Sequence, residues 1–394
     1  MEWSKAFQSH QSITRLPTPT SPYEPPSLDI AIPGSRLQDQ RDRAIFWKQL
    51  ECWTRQGEWV YDSDRGVPIS PRTWPLLDPG YISCDSPFSH MDYLGDISNP
   101  LGNEKDGPMG WGREEWEDGI INRETTSWHW TTPSSLQCPL HLPNRQGMCR
   151  MVRGRTIVIM GDPTQQQLIS TLLLRMGQVN HQGNPGFQLF PCHGNHTNCT
   201  LYPLCNEEKD EDEAGTKVVT QLITIMDASL QSLPHLPKLL EQVMANETRK
   251  SPILITSNSP STRSEKLQAN LEHLRPLLPN ILHIHRSGYM PHPGCSPSIL
   301  HPAPHLPYYV PVEWEELQSY HTTLRQNILK AGGVWWDVEG MMLLREDGHV
   351  QEKSPAGSPD ACIEWCLPGP VEAWESSLYA ILGALLPPLK GSIR

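Results

Sequence analysis

The most regular pattern in the chain begins after Arg155. Thr156-Ile157-Val158-Ile159-Met160 is a short, nearly continuous apolar run, the signature of a strand covered on both faces. It stops at Gly161-Asp162-Pro163-Thr164. Leu168, Leu172 and Met176, joined by Ile169 and Leu173, then recur at helical spacing. Pro163 suits a first helical position, where no amide donor is needed, so the pattern predicts strand, turn and helix in succession. Further strand-like runs lie at Val218–Ile225, Ile253–Thr256, Ile281–His285 and around Gly333–Val338. Helical patterns separate them, at Ser264–Leu277 and around Val312–Ala331. Strands alternating with helices predict an α/β domain, with a parallel sheet joined by right-handed crossovers.

The rest of the chain has a different texture. Residues 1–42 are rich in Pro, Ser, Thr and Gln without apolar periodicity, and are expected to be a disordered tail. Residues 45–150 are rich in Trp and Cys but poor in strand-like runs, and read as an irregular segment ahead of the α/β core at 151–386. Residues 180–215 read as a Cys/His/Asn loop followed by an acidic, solvated tract at 206–214. With 39 prolines and 28 glycines in 394 residues, a loop-rich fold is expected rather than a helical bundle.

A net charge of −12 argues against a nucleic-acid partner, which needs a basic face. No apolar run reaches the length of a membrane-spanning helix; Leu378–Leu386 is too short and meets Pro387–Pro388. The N-terminus lacks the apolar stretch of a signal peptide. Ten cysteines and three glycosylation sequons, at Asn195, Asn198 and Asn246, nevertheless point to disulfides in a secretory compartment. The two signals conflict, and a truncated or alternatively started chain would reconcile them.

In an open α/β sheet, ligands gather at the carboxyl ends of the strands. The turn Gly161-Asp162-Pro163-Thr164 lies at such an end, before a helix whose free amides favour negative charge. Its residues do not suit nucleophilic chemistry. Pro163 has neither nucleophile nor N–H, and Thr164 stands one place further on. A plain strand-to-helix turn is the simpler reading. Asn258, after the Ile253–Thr256 run, is a candidate oxyanion donor or a turn residue serving its own backbone. His283 and His285 alternate on a strand, with His292, His301 and His305 beyond, but no third ligand has a defined spacing, so no metal is expected. Cys192, Cys199 and Cys205 with His193 and His196 could mimic a zinc cluster; disulfides or free thiols are the preferred reading. Nothing calls for a cofactor.

A C-terminal stretch adds a resemblance. Asp360-Ala361-Cys362-Ile363-Glu364-Trp365-Cys366-Leu367-Pro368-Gly369 resembles the Asp-Cys-x-His-Trp-Cys-Leu-Pro-Gly signature of the PC-esterase superfamily, whose best-known branch is the trichome-birefringence-like polysaccharide O-acetyltransferases. Gly161-Asp162-Pro163 looks like the Gly-Asp-Ser block of SGNH-type esterases. Cys52-x4-Gly57-x-Trp59, Trp128-His129-Trp130 with Cys138, and Leu344-Arg345-Glu346-Asp347-Gly348-His349 are similar to other family blocks, in the family order. The resemblance spans residues 45–386.

It implies a three-layer SGNH-hydrolase-like α/β fold with the Trp/Cys-rich segment packed on it. It also implies a serine nucleophile activated by Asp and His. Here those three positions hold Pro163, Ala361 and Glu364, while Gly161, Asp162, Cys362 and Trp365 persist. Losing one triad member costs about 10⁴–10⁶ in turnover, so the expected function is non-catalytic: a pseudoenzyme with a cleft for a glycan or a protein partner. The rival is an active glycan O-acetyltransferase or acetylesterase with Thr164 as nucleophile and Glu364 as base. A third possibility is a scaffold whose cleft is filled by side chains. The resemblance also implies a lumenal or extracellular setting.

Overall fold

The computed structural model describes residues 14–15, 26–62, 68–69, 121–122, 127–141, 144–162, 164–176, 188–191, 198–205, 219–243, 251–257, 264–288, 314–345, 348, 365 and 369–387. Their strands are β1 (Thr14–Arg15), β2 (Glu58–Tyr61), β3 (Pro68–Ile69), β4 (Ile121–Asn122), β5 (Trp128–Thr131), β6 (Thr156–Gly161), β7 (Gln188–Pro191), β8 (Asn198–Leu204), β9 (Thr220–Met226), β10 (Ile253–Thr256), β11 (Leu282–Arg286) and β12 (Val334–Trp336). The helices are α1 (Gln40–Arg55), α2 (Arg145–Val152), α3 (Thr164–Arg175), α4 (Leu236–Val243), α5 (Ser264–Leu277), α6 (Trp314–Lys330), the short α7 (Glu339–Met342) and α8 (Val371–Leu385).

The main sheet runs β12-β11-β10-β6-β9-β8-β7. Five strands, β12 to β9 across the sheet, are parallel, as the alternation of runs and helices predicts. The sheet is not parallel throughout, however. β7 and β8 form an antiparallel hairpin, and β8 lies antiparallel on β9. This corrects the reading of 180–215 as loop and acidic tract alone. A hairpin needs no crossover helix, so it extends the sheet within a short length of chain. Pro203 lies in β8 opposite Gln221 of β9, beyond the last described β7 pair at Leu201.

Side-chain alternation along the buried strands creates two cores. Ile157 and Ile159 of β6 face one way, with Leu168, Ile169 and Leu172 of α3 and Trp374, Leu378 and Ile381 of α8. Val158 and Met160 face the other way, with Leu239 of α4, Leu267 and Leu271 of α5, and Leu324 and Ile328 of α6. Each fully buried side chain of this kind contributes roughly 1.5–3 kcal/mol. The domain is therefore an α/β structure with helices on both sides of a mixed sheet.

The N-terminal part packs on the first core. α1 starts at the N-cap Asp39, whose side chain accepts from the Asp42 amide, and buries Phe46, Trp47, Leu50 and Trp53 at helical spacing. The pattern Cys52-x4-Gly57-x-Trp59 has a physical reading. Cys52 is bonded to Cys138. Gly57 makes room for the Trp130 indole, which a Cβ would approach to 2.7 Å at Nε1. Trp59 is buried and donates its indole N–H to the Met341 carbonyl at 2.7 Å. A second disulfide joins Cys149 of α2 to Cys205 at the end of β8, and Cys199 is also disulfide-bonded.

Packed chain reaches back before α1. Ile32 and Leu37 are buried, and Arg36 donates through its backbone N–H to Leu385 O and through Nε to Ala384 O, both at 2.8 Å, closing the end of α8. Residues 14–15 pair with β2.

Candidate functional site

The order of the parallel strands reverses around β6: β9 lies on one side, and β10, β11 and β12 follow on the other. The carboxyl ends of β6, β10 and β11 bring Asp162, Ser257 and Arg286 together. Ser257 donates its backbone N–H to Met160 O at 3.1 Å, drawing it beside β6. Gly161, at φ +156°, allows the approach, since a Cβ there would meet Ser257 Oγ at 2.6 Å.

Asp162 is buried, and both carboxylate oxygens are engaged. Oδ1 accepts from the Thr164 N–H at 2.8 Å and from Thr164 Oγ1 at 2.5 Å; Oδ2 accepts from Ser257 Oγ. Arg286 Nη2 lies 3.5 Å from each oxygen. It also donates to Thr164 Oγ1 at 2.5 Å and to Ser257 Oγ at 3.1 Å, while Nε donates to Gln165 Oε1 at 3.2 Å. The guanidinium lies 4.4 Å from the Trp374 ring centre. Burial lowers the Arg286 pKa from its usual value and the Asp162 charge works to raise it; an arginine still keeps its proton. Asp162, Thr164, Ser257 and Arg286 thus form one internally paired unit with 0–1 % exposure. Among the described residues, the Nε2 amide of Gln165 has no hydrogen-bond partner.

Thr164, the candidate alternative nucleophile, is placed with its hydroxyl proton on Asp162 and its oxygen accepting from Arg286. Gly161 and Asp162 lie in the site as expected. Pro163, Asn258, Ala361 and Glu364 lie outside the described residues, as do Asn195, Asn246, Cys192, His193, His196, His292, His301 and His305. Asn198 begins β8. Sequence reasoning missed Ser257 and Arg286 as site residues. Ser257 directly precedes the candidate Asn258, and Arg286 directly follows the Ile281–His285 run.

The C-terminal signature is anchored to the same place. Gln167, one turn into α3, donates from Nε2 to Trp365 O at 2.7 Å and accepts the Trp365 N–H at 3.2 Å. Arg345 places its guanidinium 4.4 Å from the Trp59 ring centre, and a Cβ on Gly348 would reach Pro370 Cδ at 2.8 Å. Blocks far apart in sequence therefore meet around the start of α8.

Residues 311–381 match the PC-Esterase family, described as a GDSL/SGNH-like acyl-esterase family found in Pmr5 and Cas1p. The matched stretch, which includes the C-terminal signature, is similar to the PC-esterases. Shorter stretches are similar to plant enzymes: 44% identity over 50 residues with xyloglucan O-acetyltransferase 3 of Populus trichocarpa, and 31% over 80 residues with xyloglucan O-acetyltransferase 1 of Arabidopsis thaliana. Those alignments cover 12% and 18% of this chain, and the same shares of the two relatives, so the chain spans less than a fifth of the relatives it matches.

The two strand histidines have a structural setting. Thr256 Oγ1 lies 2.8 Å from both His283 Nε2 and His285 Nδ1, and His285 stacks on Trp335. Burial, reinforced by Arg275, pushes the His283 pKa down to about 3, and burial beside His283, Arg286 and His321 pushes His285 well below its usual value. Among the described residues no group of three His, Cys, Asp or Glu side chains is placed to hold a metal ion.

Proposed function

We propose that this protein is a PC-esterase-like pseudoenzyme: its acyl-transfer position is occupied by a sealed polar unit, and its remaining role is to bind a glycan or a protein partner. The observation that carries this reading is the state of Thr164. Its hydroxyl is fully buried and spent on Asp162 and Arg286, whereas an attacking hydroxyl must reach a substrate carbonyl with a base beside it. The residues aligned with the family's Ser, Asp and His, namely Pro163, Ala361 and Glu364, support the same reading, since none supplies the nucleophile or the imidazole base. A glycan is favoured as ligand by the kinship with polysaccharide-modifying enzymes. The disulfides support maturation in an oxidising, secretory compartment, where Asn195, Asn198 and Asn246 would be glycosylation sites.

The test is hydrolysis of an aryl acetate. Turnover at the buffer background is expected; turnover that depends on Thr164 would support the rearranged enzyme instead.

A further inference from the structure

Two carboxylates stand close together where β12 ends. Asp337 follows the strand and Glu339 opens α7, and their side chains are only 18% and 15% exposed. The backbone between them is fixed from two sides. Ser287 Oγ, just after β11, accepts the Val338 N–H at 2.9 Å and the Glu339 N–H at 3.3 Å. Asp337 Oδ1 accepts the same Glu339 N–H at 3.2 Å.

The cations facing this pair come from other elements. Arg55, in the last turn of α1, places Nε 3.6 Å from Asp337 Oδ2. His321 of α6 places Nδ1 3.1 Å from Glu339 Oε2, a contact that becomes an ion pair only when the imidazole is protonated. Arg325, one turn further along α6, also acts on Asp337. Towards the sheet, His321 makes a T-shaped contact with Trp335, on which His285 of β11 stacks. The Nε2 of His321 is buried with no hydrogen-bond partner among the described residues, so the ring depends on Glu339.

With His321 neutral, Asp337, Glu339, Arg55 and Arg325 balance in total charge, but two carboxylates remain adjacent in a poorly solvated place. One further proton changes this. On His321 it completes the pair with Glu339; on Asp337 it removes the repulsion between the carboxylates. Burial and the Glu339 charge raise the Asp337 pKa above its usual value, against the pull of Arg55, His321 and Arg325. The folded corner therefore binds a proton more readily than the opened chain does. We propose that this corner is a proton-tightened clasp: uptake of one proton by the Asp337–Glu339–His321 group fastens α6 and α7 to the end of β12. The Met341 carbonyl of α7 accepts the Trp59 indole N–H, so the clasp also bears on how firmly the β2–β5 ribbon is held. It makes no use of the acyl-transfer position and stands or falls apart from the function proposed above.

The experiment is amide hydrogen exchange of the full chain from about pH 7 to about pH 4, corrected for the intrinsic pH dependence of exchange. The amides read are those of Met342 and Leu343, which donate to Val338 O and Glu339 O. A group whose native pKa is raised adds stability as pH falls through that value, and the gain levels off below the opened chain's own value, about 4. Protection at both amides should rise about threefold to tenfold across this range, within the ceiling of about tenfold per pH unit that one proton sets. Asp337→Asn, which stands in for the protonated carboxyl, should be protected already at neutral pH and lose most of the rise. His321→Gln, which still reaches Glu339 but takes no charge, should show a smaller rise. Near-UV circular dichroism checks that each variant is folded. The buried His283 and His285 act with the opposite sign, weakening the domain as pH falls, so a local rise is distinct from the global trend. Protection at Met342 and Leu343 that stays flat or falls with the rest of the domain, or a rise unchanged in either folded variant, overturns the proposal.

Discussion

The two sides of the first turn of α8 are built on opposite terms. On one side, Asp162, Thr164, Ser257 and Arg286 are buried and bond to each other. On the other, Trp59, Trp128, Trp130, Glu372 and Ser376 line a small hollow between the β2–β5 ribbon and α8. The first region occupies the position where open α/β sheets place their chemistry; the second lies on the packed N-terminal segment. A strand-end address therefore does not by itself leave polar groups exposed to a ligand.

The largest effect should come from breaking the paired unit. Asp162→Ala leaves the Arg286 guanidinium buried without its counter-charge, an expected loss of about 3–5 kcal/mol in urea denaturation. Replacing both residues with apolar ones of similar volume should recover much of that loss. If Asp162→Ala is as stable as the parent, the unit is not the structural core described here.

The second effect distinguishes this corner from the neighbouring histidines. A histidine whose native pKa lies below its unfolded value keeps the native state proton-poor while the unfolded chain binds protons. Stability should then be fully present above pH ~6.5 and fall as pH drops, at up to about 1.4 kcal/mol per pH unit for each such group. For His283 the loss should level off near its native value of about 3. Urea midpoints across this range should fall less steeply in His283→Gln. An unchanged slope would mean that His283 takes up a proton as readily in the native state as in the unfolded one.

A smaller effect concerns the anchoring of the signature. Gln167→Ala removes two hydrogen bonds to the Trp365 backbone, about 1–3 kcal/mol if the freed groups stay buried. Amide hydrogen exchange should quicken at Trp365 with little change in the β10–β11 strands. Equal quickening in both places would mean that the substitution loosens the whole domain rather than this one attachment.

Much of the sheet was legible because β6, β9, β10, β11 and β12 are buried on both faces and so appear as apolar runs. α3 was legible from Leu168, Leu172 and Met176. β7 and β8 were not, because Pro191, Pro203 and Asn198 are signals that favour loops, and the hairpin is stabilised by pairing with β9 rather than by its own propensity. The segment at 26–39 carries only scattered apolar residues, and its packing depends on Arg36 meeting α8 some 350 residues later. Asp162 was visible in its turn. Its partner Arg286, 124 residues away, was not, since nothing local marks a strand-terminal arginine for burial. The hollow was harder still to see: Trp128 was visible as part of a motif, but its place beside α8 is a property of packing.

The most direct test of the central claim is acetyl transfer from an aryl acetate to the protein itself, read as phenol release and as intact mass beside Thr164→Ala. The paired unit predicts phenol release equal to buffer and no acetylated protein in either sample. An acetyl adduct on Thr164, with turnover lost in the variant, would contradict it and return the chain to the enzymes it resembles.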